Sequence, residues 1–227
     1  MEKETRTKMK AIVVPSQHIY EFECAPDLID NALKDFQSQN IEWGLNSNIE
    51  PDSKTMYGWL NLKNQIPWYH EELFNWMQDC VNQVSEVTVK WPLSICDAWT
   101  TKTEYKQKDI DHTHAFSVFS GILYFTDHTA SSTIFSYVDH TRERFSNICP
   151  VDIPTGTMEF VPQKGKLLIF PSDMYHHVQT HTELRNTRHS LAFNTFFSGI
   201  MNASPTAILD TKASVKDRYL KWKAKQV

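Results

Sequence analysis

The chain has 227 residues, and its 23 lysines and arginines against 27 aspartates and glutamates give a formal net charge of −4. A chain of this length is expected to form one domain with a full hydrophobic core. The acidic balance argues against a protein that holds nucleic acid along its phosphates, although a local contact with nucleic acid stays open. The sequence has no apolar run long enough to span a membrane and no signal-peptide pattern, so we expect a cytoplasmic protein.

Glycine is scarce, with six residues against about 16 expected at average usage. No two glycines lie within five residues of each other, which excludes the glycine-rich loops that bind dinucleotides or nucleotide phosphates. The four cysteines, Cys24, Cys80, Cys96 and Cys149, have no zinc-binding spacing. We expect free thiols, because the cytoplasm keeps thiols reduced.

The N-terminal part of the chain predicts two helices. Residues 26–38 place apolar side chains on one helical face and begin with Pro26, which suits a first helical turn. Residues 68–84 repeat the pattern with a second apolar stripe. We expect these helices within a segment of about residues 26–86.

From about residue 87 to residue 200 the sequence predicts short β-strands. Apolar runs rich in β-branched and aromatic residues alternate with turn residues, as in a β-sandwich or jelly roll with helices packed outside. Residues 201–227 are expected to be a basic tail, either a helix or a frayed segment. Its cationic side chains form either a solvated face or a patch for an anionic partner. The whole chain is therefore expected to be a single domain, 1–227.

The histidines are concentrated in this β region, where eight of the ten lie between His112 and His189. Histidine is the commonest metal ligand in proteins. His112 and His114 are two residues apart, so on a strand they point to the same face and can bind one ion. His176 and His177 follow another apolar strand, and His176 is expected to point inward because it shares a face with Val178.

The last predicted strand carries Arg188 and Ser190 on one face. A buried guanidinium is costly unless an anion meets it. A guanidinium with a hydroxyl beside it matches a carboxylate, whereas an arginine at the rim would pair with a nearby glutamate.

These motifs, in this order, resemble those of the Fe(II)/2-oxoglutarate-dependent oxygenases. The resemblance is closest to a prolyl-hydroxylase-like branch of bacteria and phages, and it covers about residues 95–198. It implies a mainly β fold with flanking helices, a double-stranded β-helix (jelly roll), in the host cytoplasm if a phage encodes the protein. The matching segments are 112–114, 120–124, 170–172, 176–178 and 188–194.

The resemblance also implies the roles of single residues. His112, His114 and His176 are expected to bind Fe(II), while Arg188 and Ser190, with Tyr124, bind the far carboxylate of the co-substrate 2-oxoglutarate. His114 departs from the family pattern, which has aspartate or glutamate there, and Asp111 and His177 are the alternative ligands. Three neutral imidazoles leave the charge of the ion unbalanced until 2-oxoglutarate binds.

The implied activity is a dioxygenase that hydroxylates a C–H bond and releases succinate and CO2. Its partners are then 2-oxoglutarate, dioxygen and a peptide or small-molecule substrate, a prolyl or other peptide side chain being one candidate. Trp99, Phe116 and Phe119 are candidate walls of the substrate cleft. The alternative is a cupin-like metal-binding or structural protein that does not use 2-oxoglutarate and has no need for an inward Arg188.

Overall fold

The computed structural model describes residues 9–14, 17–38, 43–45, 56–58, 69–138, 155–204, 207–210 and 224. In chain order the elements are β1 (Lys10–Val14), β2 (Gln17–Glu23), α1 (Pro26–Ser38), β3 (Trp43–Leu45), β4 (Met56–Gly58), α2 (Glu71–Val87), β5 (Leu93–Thr103), β6 (Phe119–Tyr124), β7 (Thr133–Val138), β8 (Thr155–Phe160), β9 (Lys166–Pro171), β10 (His176–Val178), β11 (Arg188–Phe197), β12 (Ile200–Ser204) and β13 (Ala207–Asp210). The mainly β fold with flanking helices is thus as predicted.

Both predicted helices are present. Helix α1 spans the predicted residues and buries Ile29, Ala32 and Phe36. Helix α2 begins later and ends later than predicted, because the His70 imidazole caps its N-terminus by accepting a hydrogen bond from the Leu73 N–H at 3.3 Å. It continues through Val87, so the strand expected from residue 87 starts only at Leu93. Pro92, which lacks the N–H that a ladder needs, directly precedes that strand.

The larger sheet has the strand order β1-β2-β9-β6-β11-β5-β4-β3, and every neighbouring pair is antiparallel. A smaller sheet has the order β10-β7-β8. Strands β12 and β13 pair with each other within the segment expected to be a basic tail, and most of the rest of that segment lies outside the described residues. Cys24, Cys80 and Cys96 are free thiols, and Cys149 lies outside the described residues.

The larger sheet is apolar on both faces. One face packs against the two helices through residues such as Phe22, Leu123 and Phe193. The opposite face packs toward the smaller sheet in a second cluster of buried side chains. That cluster, called the inner cluster below, contains Ile19, Ile122, Tyr124, Phe135, Leu168, Phe170 and Met174.

Gly121 is required where β6 passes the ring of Phe193. A Cβ atom at this position would lie 2.2 Å from Phe193 Cζ, and Phe193 is fully buried. We therefore expect Gly121→Ala to lower the free energy of unfolding by about 1–3 kcal/mol, because the packed core must shift to admit the methyl group. Urea denaturation measures the loss, and Gly121→Ala should cost less in a Phe193→Leu background. A Gly121→Ala protein as stable as the parent contradicts this packing.

Candidate functional site

His112 and His176 lie side by side although 64 positions separate them in the sequence. Their backbones exchange two hydrogen bonds, His112 N–H to His176 O and His176 N–H to His112 O, both 3.1 Å long. Residues paired in this way point their side chains to the same face. The two ring centroids are accordingly 4.4 Å apart.

His114 completes a cluster of three imidazoles. Its backbone N–H donates to the carbonyl of Ser172 at 2.8 Å, which fixes the irregular segment between His112 and β6. Its Nε2 lies 3.2 Å from His176 Nε2. Each of the three histidines offers one nitrogen, and these nitrogens all lie within 4.8 Å of one another. We call His112, His114 and His176 the histidine triad.

The protonation of the triad suits a cation. The Nδ1 of His112 lies 2.8 Å from the carbonyl of Ile110, and the Nδ1 of His176 lies 3.0 Å from that of Met174. Because a carbonyl only accepts, Nδ1 is the protonated nitrogen in each ring, so Nε2 is the nitrogen with which the neutral form of each ring binds a metal. Burial, with His112 nearby, lowers the pKa of His114 to about 4, and burial likewise lowers the pKa of His176 well below its usual value. Both rings are therefore neutral at pH 7, which is the form that binds metal.

The two alternative ligands do not join the triad. Asp111 and His177 precede and follow the His112–His176 pair, so their side chains point to the opposite face. There the Asp111 carboxylate lies 2.7 Å from His177 Nδ1, and the aspartate side chain is about half exposed. Their pairing with each other fits the alternation of residues on neighbouring strands.

Arg188 lies at the start of β11 and is 1% exposed. Its Nη1 donates to Ser190 Oγ at 3.3 Å, and its Nη2 donates to Thr133 Oγ1 at 3.0 Å. The guanidinium also lies 5.3 Å from the ring centroid of Tyr124, whose hydroxyl donates to the same Thr133. Thr101 bonds the hydroxyl of Ser190 from the neighbouring strand β5. The guanidinium and its neutral hydroxyls form a buried site with the donors that a carboxylate needs.

The histidine triad lies over the face of the larger sheet that carries Arg188, and the two are separated along the strands. Trp99 pairs with Ala192 in the sheet, and its ring centroid is 5.5 Å from that of His114. The triad thus lies near the level of Ala192, four residues from Arg188 along β11, or about 13 Å at ~3.3 Å per residue. The space between them is bounded by the small side chain of Ala192 and by the inner cluster.

Some site residues differ from the sequence expectation. Thr133 and Thr101 were not predicted, because their contacts to Arg188 and Ser190 join strands distant in sequence. For Thr133 the only signal was its place at the start of an apolar run, and Thr101 had no such signal. Of the candidate walls, Trp99 lies beside His114, whereas Phe119 is buried in the core against Tyr20 and Phe116 is 94% exposed.

Neither of the helices that the structure describes is long and apolar enough to cross a membrane.

Comparisons with known proteins agree with this arrangement. A family model described as "Putative 2OG-Fe(II) oxygenase" matches residues 97–194, the segment that carries the histidine triad and Arg188. A search of curated protein sequences finds no match to the chain.

Solved structures share the fold at low sequence identity. HygX from Streptomyces hygroscopicus, with nickel, 2-oxoglutarate and hygromycin B bound, is 11% identical with a TM-score of 0.53, over 78% of this chain and 82% of that one. A prolyl hydroxylase from Trichoplax adhaerens, in complex with a hypoxia-inducible-factor peptide fragment, is 11% identical with a TM-score of 0.53, over 79% and 83%. The epimerase SnoN from nogalamycin biosynthesis is 10% identical with a TM-score of 0.52, over 86% and 89%. These relatives confirm the predicted double-stranded β-helix.

Proposed function

We propose that the chain, whose residues 97–194 match a family model described as "Putative 2OG-Fe(II) oxygenase", is a member of the superfamily of Fe(II)- and 2-oxoglutarate-dependent oxygenases and a dioxygenase that hydroxylates a C–H bond. In this reaction 2-oxoglutarate and dioxygen are converted to succinate and CO2 while the substrate gains a hydroxyl group. One observation carries the proposal: the three imidazole nitrogens of the histidine triad converge over the sheet face that carries the buried Arg188, about four residues away along β11.

The donor set of the histidine triad fits iron. Imidazole nitrogen is a common ligand of divalent iron, and Nδ1–H donation to the carbonyls of Ile110 and Met174 orients two of the three rings. When bound, Fe(II) would activate dioxygen, which is the oxidant of both 2-oxoglutarate and the substrate C–H bond. The chain's own part is to hold His112, His114 and His176 with their Nε2 atoms converging.

The site around Arg188 fits the far carboxylate of 2-oxoglutarate. A guanidinium offers two parallel N–H donors to a carboxylate, and Ser190 and Tyr124 add hydroxyls beside it. The distance along β11 suits an extended five-carbon diacid, because the long arginine side chain covers part of the separation. Burial of Arg188 favours the oxygenase over the cupin-like alternative, which has no need for an inward arginine at this position.

The inner cluster keeps water away from the reacting groups. Phe170 and Phe135 pack against the ring of His176 with centroid distances of 4.8 and 5.7 Å. Trp99 covers His114 from the other side. Apolar walls of this kind exclude water from a reactive site.

The proposed reaction is hydroxylation rather than epimerisation. The proposed substrate is a peptide side chain. The Trichoplax adhaerens prolyl hydroxylase, bound to a peptide, supports this choice, whereas SnoN is an epimerase. The prolyl-hydroxylase-like branch and the cytoplasmic location stay predictions.

The proposal is tested by incubating the purified protein with Fe(II) without oxygen and then adding 2-oxoglutarate and air. We expect succinate to form in the parent protein and in Asp111→Asn, whose side chain faces away from the triad. We expect none in His176→Ala. A parent protein that binds iron but forms no succinate contradicts the dioxygenase assignment.

The missing carboxylate ligand predicts that metal and co-substrate bind cooperatively. Three neutral imidazoles leave the full charge of the ion, so the 2-oxoglutarate dianion should raise metal affinity. Linkage requires that metal raises 2-oxoglutarate affinity by the same factor. Calorimetric titrations with Zn(II), with and without 2-oxoglutarate, measure both factors. Equal metal affinity in the two titrations contradicts this expectation.

A further inference from the structure

Two histidines of the β region have no part in the histidine triad, and they contact each other. His128 lies in the connection between β6 and β7, and His181 lies in the connection between β10 and β11. Their ring centroids are 4.3 Å apart, with the ring planes at 66°. The two residues are 3% and 0% exposed, so the rings meet inside the protein. We call His128 and His181 the histidine pair.

Backbone hydrogen bonds hold the two connections together at the histidine pair. The Thr182 N–H donates to the Ala130 carbonyl at 3.2 Å, which joins one connection to the other. The His181 N–H donates to the carbonyl of Gln107 at 2.8 Å, in the segment that follows β5. The contact between the two rings is therefore fixed by the packing of several chain segments.

The neutral rings of the histidine pair carry their protons on the opposite nitrogen from those of His112 and His176. The Nδ1 of His128 accepts a hydrogen bond from the Ala130 N–H at 3.3 Å, and the Nδ1 of His181 accepts one from the Glu183 N–H at 3.1 Å. Because a backbone N–H only donates, each neutral ring has its proton on Nε2. Within the residues that the structure describes, neither Nε2 has a hydrogen-bond partner. The group that such a ring can gain is a proton on Nδ1.

The histidine pair belongs to the end of the molecule that holds Arg188. The connection between β6 and β7 is tied to β11 at both ends. Thr126 Oγ1 accepts the His189 N–H at 3.1 Å, and Thr133 Oγ1 accepts from Arg188 Nη2 at 3.0 Å. The connection between β10 and β11 leads directly into Arg188. Both rings are therefore held by segments that also position the guanidinium.

Burial and nearby charges keep the histidine pair neutral at pH 7. Burial is the main cause that lowers the pKa of each ring, and the positive charge of Arg188 lowers the pKa of both rings further. Glu183 and the backbone carbonyl of Asn186 act on both rings in the opposite direction and raise the pKa of each. The Asn186 side chain donates to the Glu183 carboxylate at 2.6 Å. Arg188 is thus the charge whose neutralisation favours a proton on the pair.

We propose that the histidine pair is a proton-binding site coupled to the co-substrate, in which one ring takes up a proton when the far carboxylate of 2-oxoglutarate binds to Arg188. The proposal rests on the proposed function for the identity of that carboxylate. The carboxylate neutralises the charge of Arg188, so a proton on the pair is repelled less. The proton comes from the solvent and enters at Nδ1, so the N–H of Ala130 or Glu183 loses its acceptor. One ring is charged and not both, because two charged rings in contact repel each other.

Linkage gives the sign of the pH dependence. If 2-oxoglutarate raises the pKa of the histidine pair, the affinity for 2-oxoglutarate must rise as the pH falls through that pKa. The stability of the protein without co-substrate changes in the opposite direction. Because folding lowers the pKa of both rings, their contribution to stability is present above a pH of about 6.5 and is lost as the pH falls toward the folded-state pKa.

Nuclear magnetic resonance of the Zn(II)-loaded protein with ¹³C-labelled histidine rings tests the coupling. The signals of the pair are identified by their loss in His128→Asn and His181→Asn, in which Oδ1 can replace Nδ1 as the acceptor of the N–H two residues on. We expect 2-oxoglutarate to raise the titration midpoint of the pair by at least about half a pH unit, which corresponds to a gain of about threefold in affinity at low pH. Bound 2-oxoglutarate with unchanged midpoints would overturn the proposal.

The same titration of Arg188→Gln tests the coupling without the co-substrate. Loss of the guanidinium charge should raise the midpoint of the histidine pair about as far as 2-oxoglutarate does in the parent. Arg185→Gln is the matched control, because it removes an exposed arginine on the same connection and should leave the midpoint unchanged. A folded Arg188→Gln protein whose midpoint equals that of the parent would contradict the coupling.

Calorimetric titration with 2-oxoglutarate distinguishes the failure of this inference from the failure of the proposed function. The double variant His128→Asn/His181→Asn, loaded with Zn(II), should bind 2-oxoglutarate within about twofold of the parent at pH 8, where the pair is neutral. It should lack the gain in affinity that the parent shows toward pH 5.5. Equal pH dependence in parent and double variant would overturn the role of the pair alone. A parent that does not bind 2-oxoglutarate at either pH would contradict the proposed function, and this inference with it.

Discussion

Replacing Arg188 with alanine is expected to raise the concentration of 2-oxoglutarate needed for half-saturation by tenfold or more. The buried guanidinium is the strongest donor at its end of the site, and each charge-assisted hydrogen bond that it makes is worth about 1.5–3 kcal/mol. Calorimetric titration of the Zn(II)-loaded protein measures the change. Metal binding should stay intact, because the histidine triad lies about 13 Å from Arg188 along the strand.

One further variant separates the geometry of the Arg188 side chain from its charge, and a second serves as a control. Arg188→Lys keeps a cation but loses the fork of two donors, so 2-oxoglutarate affinity should fall by less than in Arg188→Ala. Arg185→Ala, on the same connection between β10 and β11, removes an exposed arginine and should leave affinity unchanged. An Arg188→Ala protein that binds 2-oxoglutarate as tightly as the parent would contradict the oxygenase assignment and favour the cupin-like alternative.

Removing His112 or His176 is expected to abolish stoichiometric metal binding. Each alanine variant leaves two imidazoles, and the His112–His176 pair contributes two of the three convergent nitrogens. Metal content after dialysis, measured by elemental analysis, gives the number of ions per chain. We expect about one in the parent and none retained in either variant.

His177→Ala is the matched control for the metal experiment. His177 is the direct neighbour of His176, but its ring pairs with Asp111 on the opposite face. The variant should therefore bind as much metal as the parent. If His112→Ala and His176→Ala retain metal while His177→Ala loses it, the ion lies at the Asp111–His177 pair and the assignment of the triad is wrong.

The sequence predicted much of the fold because its signals are local. The apolar periodicity of residues 26–38 and the alternation around β6, β9 and β11 depend only on neighbouring residues. The end of α2 was missed because helix signals compete with strand propensity at Val87 and Val89. The structure resolves this with a turn in which Lys90 has a φ of 53°.

The candidate site was predictable only in part, because sequence signals are local and the site depends on contacts between distant residues. His112 and His114 were expected on one regular strand, whereas they lie in an irregular segment fixed by contacts with His176 and Ser172. Such contacts join residues about 60 positions apart, and no local pattern encodes them. The positions of the Thr101 and Thr133 hydroxyls around Arg188 depend likewise on sheet register.

Anomalous diffraction at the iron absorption edge from crystals of the Fe(II) and 2-oxoglutarate complex, grown without oxygen, tests the central claim most directly. The account predicts one iron peak with Nε2 atoms of His112, His114 and His176 at roughly 2.0–2.2 Å. It also predicts 2-oxoglutarate between this iron and Arg188, with its far carboxylate on the guanidinium. An iron peak away from the histidine triad, or a co-substrate that does not reach Arg188, would contradict it.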